Sequence, residues 1–374
     1  MKKIHYLLAL VIILNNCSKA RKTVDNTIID NHKKSESLSS IEERLIDTTI
    51  FKSFSVIHLE TNNESLFRSI DRISIKNELI YVYDNSLKKV IIFDQKGKYI
   101  NHIHKIGQGP GEYISTIDFC VDEKSTELFL LCDRPYKIMR FSNDGQFISE
   151  KRYSGLHKAI TIDSGCFFCE LFWCDNHEIG RFDNEFNLIN TGLLKSKYYF
   201  NTCYCDGQQL VKSKNIYYTR RFDSSIYQLT KNSLERKYEF DFGKFGLPEY
   251  LSSEEDCYKL HTTSYEQNYI YFITNVVESE RFIFFNTNLG ICLYDKSTNR
   301  IKAFRILFNS SIKYGSNLFY PNEGNGNSII TAIQPSKLLY YDEEMIRNNA
   351  DVKNLVNNYK EDDNPILIVY FFKE

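Results

Sequence analysis

Ile91-Ile92-Phe93-Asp94-Gln95-Lys96-Gly97-Lys98-Tyr99-Ile100 is an apolar run closed by an aromatic, a polar turn, and the beginning of another strand. Ile138-Met139-Arg140-Phe141-Ser142-Asn143-Asp144-Gly145-Gln146-Phe147-Ile148 repeats it. With the aromatic before the turn as an anchor, the series runs Phe93, Phe141, Phe182, a weaker copy at Leu229, and Tyr294. The spacings are roughly 48, 41, 47 and 65 residues. The first three fit a unit of four short strands and three turns, one blade of a propeller. The long last interval implies an insertion, placed at Gly243 to Lys259, where the sequence is polar and loop-like.

A strand precedes each anchor at a steady offset: residues 79–84, 128–133, 172–175, 216–218 and 282–286. Asp or Asn closes four of them, where the side chain can bond the backbone of the following turn. Inner strands lie further upstream, as at Arg72 to Ile75 and Ile117 to Val121. The end of the chain sets the blade count. Ile329 to Ile333 reads as an inner strand. Pro335 to Leu355 reads as helical, with Leu338, Leu339, Met345, Ile346, Val352 and Leu355 on one face. Pro365 to Phe372 is a buried-looking strand with no room for an outer partner before Glu374, and Phe54 to Glu60 is a strand with no inner partner. Pairing these two closes the ring and removes the edges a linear array would expose. The expected fold is all-β: a six-bladed β-propeller of four-stranded blades over residues 51–374, its last blade closed by the N-terminal strand, with one short C-terminal helical insertion.

Composition agrees. The aromatic share is 14%, nearly all of it Tyr (26) and Phe (27), which favours sheet over helix. A formal net charge of -1 lacks the basic surplus of a nucleic-acid footprint.

Met1-Lys2-Lys3, the apolar run Tyr6 to Leu14, and Asn15-Asn16-Cys17-Ser18 read as a signal peptide, since the run is too short for a permanent bilayer span. The cysteine after the apolar core resembles a bacterial lipobox, with Leu14 three before it, although Asn16 stands where a small residue is usual. That resemblance implies lipidation of Cys17, and Ser18 resembles outer-membrane sorting. The expected organisation is therefore a signal peptide over 1–17, a flexible tether over 18–50, and the propeller, facing the periplasm from the outer membrane.

Ile106-Gly107-Gln108-Gly109-Pro110-Gly111-Glu112-Tyr113 lies between the first two units, and Asp363-Asn364-Pro365-Ile366-Leu367-Ile368 lies at the end. On these strings the chain, from about Phe54 to Glu374, resembles the six-bladed β-propeller lipoproteins of Bacteroidetes, related in architecture to TolB-like and NHL propellers. The resemblance implies a fold and an envelope location but no reaction, so it assigns no catalytic residue.

Gly107 to Tyr113 joins one blade to the next on the face where the channel opens. Its glycines permit close approach of a ligand, and Glu112 and Tyr113 supply an acceptor and a ring. Gly109, Gly111, Glu112, Tyr113 and Arg134 are the candidate ligand-binding residues; the alternative is a rigid linker fixed by Pro110. Arg134, Arg152, Arg220, Arg221 and Arg281 either line a polar funnel for an anion or are ordinary surface arginines. Cys166-Phe167-Phe168-Cys169 stands near Cys174, Cys203 and Cys205. It lacks the second Cys-x-x-Cys of a zinc ribbon, and a three-residue step on a strand points the two thiols to opposite faces. Buried free thiols, one or two disulfides, or a metal all remain open there. His102 and His104 share a strand face without a nearby third ligand. No catalytic residue, metal or cofactor is assigned.

The expected function is an envelope-anchored binding or scaffold protein presenting its channel face to a peptide, glycan or protein partner, held to the outer membrane by lipid and binding no nucleic acid. The alternative is a metal-dependent propeller hydrolase or lyase acting at the channel.

Overall fold

In the computed structural model, which describes residues 28–172, 176–199, 205–323, 326–356 and 359–373, the residue after each anchor builds the turn. The Asp94 carboxylate accepts from the Lys96 and Lys98 N–H groups at 2.8 and 2.9 Å. Asp183 does the same for Glu185 and Asn187, and Asp295 accepts from Ser297. Ser142 and Thr230 use hydroxyls, accepting from Gln146 and Ser233, each at 2.9 Å. These side chains replace ladder bonds that the tight turn forfeits. The anchors Phe93, Phe141, Phe182, Leu229 and Tyr294 are all buried in third strands.

Six sheets form a ring, a six-bladed β-propeller. Blade one is Arg72–Lys76, Leu79–Asp84, Lys89–Asp94 and Tyr99–Ile103. Blade two is Ser115–Val121, Leu128–Arg134, Tyr136–Phe141 and Phe147–Arg152. Blade three is His157–Asp163, Cys166–Leu171, His177–Phe182 and Leu188–Leu194. Blade four is Leu210–Lys212, Ile216–Thr219, Ser225–Leu229 and Leu234–Glu239; blade five is Thr274–Glu278, Phe282–Thr287, Gly290–Asp295 and Arg300–Asn309. Blade six is Tyr320–Pro321, Ser328–Ile333, Ile366–Phe372 and, as its outer strand, Phe51–His58. Inner strands touch around the axis from blade five through six, one, two and three to four, and between four and five the Asn275 N–H donates to the Gln208 carbonyl at 2.9 Å. The core lies between blades, in separate apolar clusters.

The ring closes as expected: Val56 faces Ile368 and Phe54 faces Tyr370 in an antiparallel ladder. Other expectations are corrected. Ile329 to Ile333 belongs to a second strand; the inner strand is Tyr320–Pro321, too short to show alternation and tolerant of proline because its free edge needs no N–H. The second strand of blade three is Cys166–Leu171, ahead of the expected 172–175, of which 173–175 fall outside the described residues. The insertion between blades four and five forms a 3-10 turn, Gly243–Phe245, and two helices, Glu249–Ser252 and Cys257–Glu266. Near the C-terminus, three short helices (Pro335–Leu338, Glu343–Asn348, Ala350–Val356) replace a continuous one, so Leu338, Val352 and Leu355 are buried while Leu339 is exposed.

The segment expected to be tether is also partly structured. Ile29–Lys34 adds to blade four as a fifth strand parallel to Leu234–Glu239, and Ile41–Ile46 adds to blade five parallel to Arg300–Asn309. Leu38 and Leu45 are buried here, isolated apolar residues in a polar stretch that periodicity could not reveal. Carboxylates meet arginines along the seam: Asp30 with Arg236, Glu36 with Arg300, Glu43 with Arg305. Residues 29–58 thus form a belt around the outer rim of blades four, five and six.

Candidate functional site

In an up-and-down blade, the links from an outer strand to the next inner strand share one face of the ring with the turns between second and third strands. Inner strands begin at this face. Arg72, first residue of blade one's inner strand, stands in the channel just below it. Arg72 is 1% exposed. Its Nη1 donates to Asp118 Oδ2 of blade two at 2.6 Å and to the Ile160 carbonyl of blade three at 2.8 Å. Its Nε donates to Glu323 Oε1, just past the inner strand of blade six, at 2.9 Å, and Nη2 reaches the same oxygen. One guanidinium therefore ties four blades across the axis. Burial opposes its charge, but Asp118 and Glu323 prevail and hold it more firmly protonated than an ordinary arginine. Below it, burial lowers the Lys76 amine, which donates to the Val121 carbonyl at 2.8 Å.

Above Arg72 the channel opens into a cavity of about 240 Å³ with Arg72 and Asp118 in its floor and Lys158, Glu170, Gln208 and Arg221 in its walls. A narrow cleft of about 20 Å³ between blades three and four shares Lys158, Glu170, Gln209 and Arg221 with it and adds Glu178, Tyr198, Tyr218 and Arg220. Tyr198 also lines a third cavity, of about 400 Å³, walled by Phe222, Phe240 and Phe242 of blade four and by Leu251 and Leu260 of the insertion. The three lie in series from the axis to the insertion.

Lys158 Nζ sits 3.5 Å from Glu170 and over the rings of Phe172 and Tyr199, at 4.3 and 4.4 Å. Burial lowers its amine pKa, against the pull of Glu170. Glu178 is fully buried and accepts from Arg220 Nε at 2.9 Å and the Ser196 N–H at 2.8 Å; burial nonetheless raises its carboxyl above the usual range. Burial also raises the Tyr218 phenol, and pushes the Cys205 thiol up to about 12. In the first two cavities, four cationic side chains (Arg72, Lys158, Arg220, Arg221) face four anionic ones (Asp71, Asp118, Glu170, Glu178). The buried Gln208 Oε1 accepts no hydrogen bond among the described residues.

The sequence candidates lie on the same face but over blades one and two. The Gly109 N–H donates to Glu112 Oε2 at 2.8 Å, and that carboxylate fills the space a Cβ on Gly107 would need. The Gly111 N–H donates to Glu150, which Lys137 also engages while donating to the Glu112 carbonyl. Tyr113 is buried, its hydroxyl donating to the Lys88 carbonyl at 2.8 Å. Arg134 projects outward, 3.9 Å from Asp133. These groups knit blade one to blade two and line none of the three cavities. Of the five funnel arginines, the structure brings Arg220 and Arg221 into the cleft; Arg281 pairs with Asp295 at the rim. His102 bonds the Tyr99 hydroxyl at 2.7 Å. Cys166 and Cys169 pack into different inter-blade clusters, on opposite faces of their strand. Cys17, Cys174 and Cys203 lie outside the described residues.

Sequence reasoning missed Arg72, Lys158, Glu170, Glu178 and Gln208. A signal existed: Arg72, Ser74 and Lys76 alternate polar on an otherwise apolar inner strand, and Glu170 interrupts the apolar run Cys166–Leu171.

No helix among the described residues is long and apolar enough to cross a membrane. No curated protein matches the chain. A putative exported protein from Bacteroides fragilis has a similar structure, with a TM-score of 0.69 and 22% identity over 93% of this chain and 100% of its own. A DUF4221-family protein from Bacteroides vulgatus aligns at TM-score 0.48 and 10% identity over 86% of this chain and 97% of its own. BamB from Moraxella catarrhalis aligns at 0.41 and 10% over 74% and 72%. The sequence model described as "Domain of unknown function (DUF4934)" matches residues 27–371, and the chain belongs to that family.

Proposed function

We propose that this protein is a binding protein of the cell envelope whose channel face receives a polar peptide, glycan or protein segment. The observation that carries the reading is the series of three cavities on that face, joined by shared walls and lined by buried ionisable groups. The signal sequence and Cys17 support lipid anchoring at the outer membrane, facing the periplasm, and the exported relative supports secretion. Kinship with TolB-like and NHL propellers belongs to the same proposal. The test is a ligand screen by thermal shift on the mature chain, repeated with Lys158→Met. Ligands of the channel face raise the melting temperature of the native chain and lose that effect in the variant. Metabolic labelling with palmitate, abolished by Cys17→Ala, tests the anchor.

One observation favours a second reading, hydrolase or lyase chemistry in the cleft: Glu178 and Lys158 line the same narrow space, where burial raises the carboxyl and lowers the amine. The carboxylates nearest the axis, Asp118 and Glu323, are already held by Arg72, so a channel metal would have to displace that guanidinium. Turnover of a bound ligand, lost in Glu178→Gln, would establish this second reading over the first.

A further inference from the structure

From the same cavities we infer the ligand class: an uncharged, polyhydroxylated chain, that is, a neutral oligosaccharide. This rests on the binding reading above and deepens it.

The charges come first. The four cations and four anions of the axial cavity and cleft balance, and most are already engaged: Arg72 with Asp118, Lys158 with Glu170, Arg220 with Glu178. A ligand of net charge would have to break one of these pairs and strand its partner in a buried site. A hydroxyl need not. It donates and accepts at once, so it can bond both members of a pair and leave the pair intact. Gln208 Oε1 adds a buried acceptor awaiting an O–H or N–H donor.

The third cavity supplies the other half of sugar recognition. Its aromatic walls, with the Tyr198 and Phe222 rings 5.1 Å apart, suit the C–H faces of a pyranose, and Lys34, Asp223, Glu239 and Asp241 beside them offer partners to its hydroxyls. The serial arrangement calls for a chain of several units rather than a monosaccharide.

The experiment is calorimetric titration of the mature chain with maltotetraose, cellotetraose, xylotetraose, mannotetraose and chitotetraose, followed by a neutral-glycan array. Tetragalacturonate and tetra-alanine serve as anionic and zwitterionic comparators. At least one neutral glycan is expected to bind, about tenfold or more tighter than its monosaccharide, with affinity changing less than about twofold between ~0.05 and ~0.5 M salt. Gln208→Leu and Phe222→Ala, both in cavity walls, should each weaken binding about tenfold while circular dichroism shows the fold intact. Binding of only tetragalacturonate or tetra-alanine would overturn the ligand class and leave the binding reading standing. Failure of every neutral glycan, on the array as in solution, would overturn the inference.

Discussion

Val56 and Ile368, from opposite ends of the chain, face each other across the ladder that closes the ring. Ile368 is fully buried in the cluster between blades five and six. Ile368→Ala should cost about 2–5 kcal/mol, as for other large-to-small core changes. Removing the chain from Asn364 onward should abolish cooperative unfolding, because blade six then loses its third strand. Urea denaturation followed by tryptophan-independent circular dichroism checks both.

Arg72→Met leaves the Asp118 and Glu323 carboxylates buried without their cation. The expected loss is about 3–5 kcal/mol at neutral pH. The sign with pH follows from burial, which raises an unpaired carboxyl such as Asp118. A raised carboxyl is content when protonated, so the variant's deficit should shrink as pH falls through the mildly acidic range and grow as pH rises. Denaturant midpoints of both proteins across pH 4 to 8 would show this; a pH-independent deficit would count against the account.

His157 stacks on Tyr153 at 4.5 Å, and burial lowers its pKa to about 4. Its folded value lies below its unfolded one, so the neutral ring is the native form. The stabilisation is complete above about pH 6.5 and is lost as pH falls from there toward 4, amounting to about 3 kcal/mol at most. His157→Phe should flatten that part of the stability profile, measured by denaturation at each pH.

Gly243 has φ +55°, and a Cβ there would stand 2.4 Å from the Leu38 carbonyl oxygen. The Leu38 N–H donates to the Asp241 carbonyl at 2.8 Å, so this contact seats the belt on the insertion. Gly243→Ala should cost about 1 kcal/mol or more through the backbone alone. It should also expose residues 35–40 to protease, read by mass spectrometry of limited digests, while Leu45→Ala costs about 2–5 kcal/mol.

Blade number and ring closure were legible because they rest on local chemistry: an apolar strand, a buried anchor, and a turn capped by Asp94 or its equivalents. Tyr320–Pro321 was not legible, because two residues carry no period. The belt was hidden for a related reason. Leu38 and Leu45 each bury one side chain in a polar segment, and the rest of the pairing is backbone and ion pairs. The site was misplaced because the glycines of 107–111 advertise an unusual backbone, which serves the junction of two blades. Lys158, Glu178 and Arg220 converge from strands and links far apart in sequence, and only the ring brings them together.

The belt has a mechanical consequence. Traction on the chain ahead of Ile29 meets blade four first, then blade five, and only afterwards the ladder between Phe51–His58 and Ile366–Phe372. Each of the first two seams can let go without opening the ring. Releasing residues 29–50 would free a segment roughly 70–80 Å long when fully extended. The belt thus acts as a two-stage shock absorber, and a pull from its N-terminal side must exhaust both stages before it strains the closure on which the six blades depend.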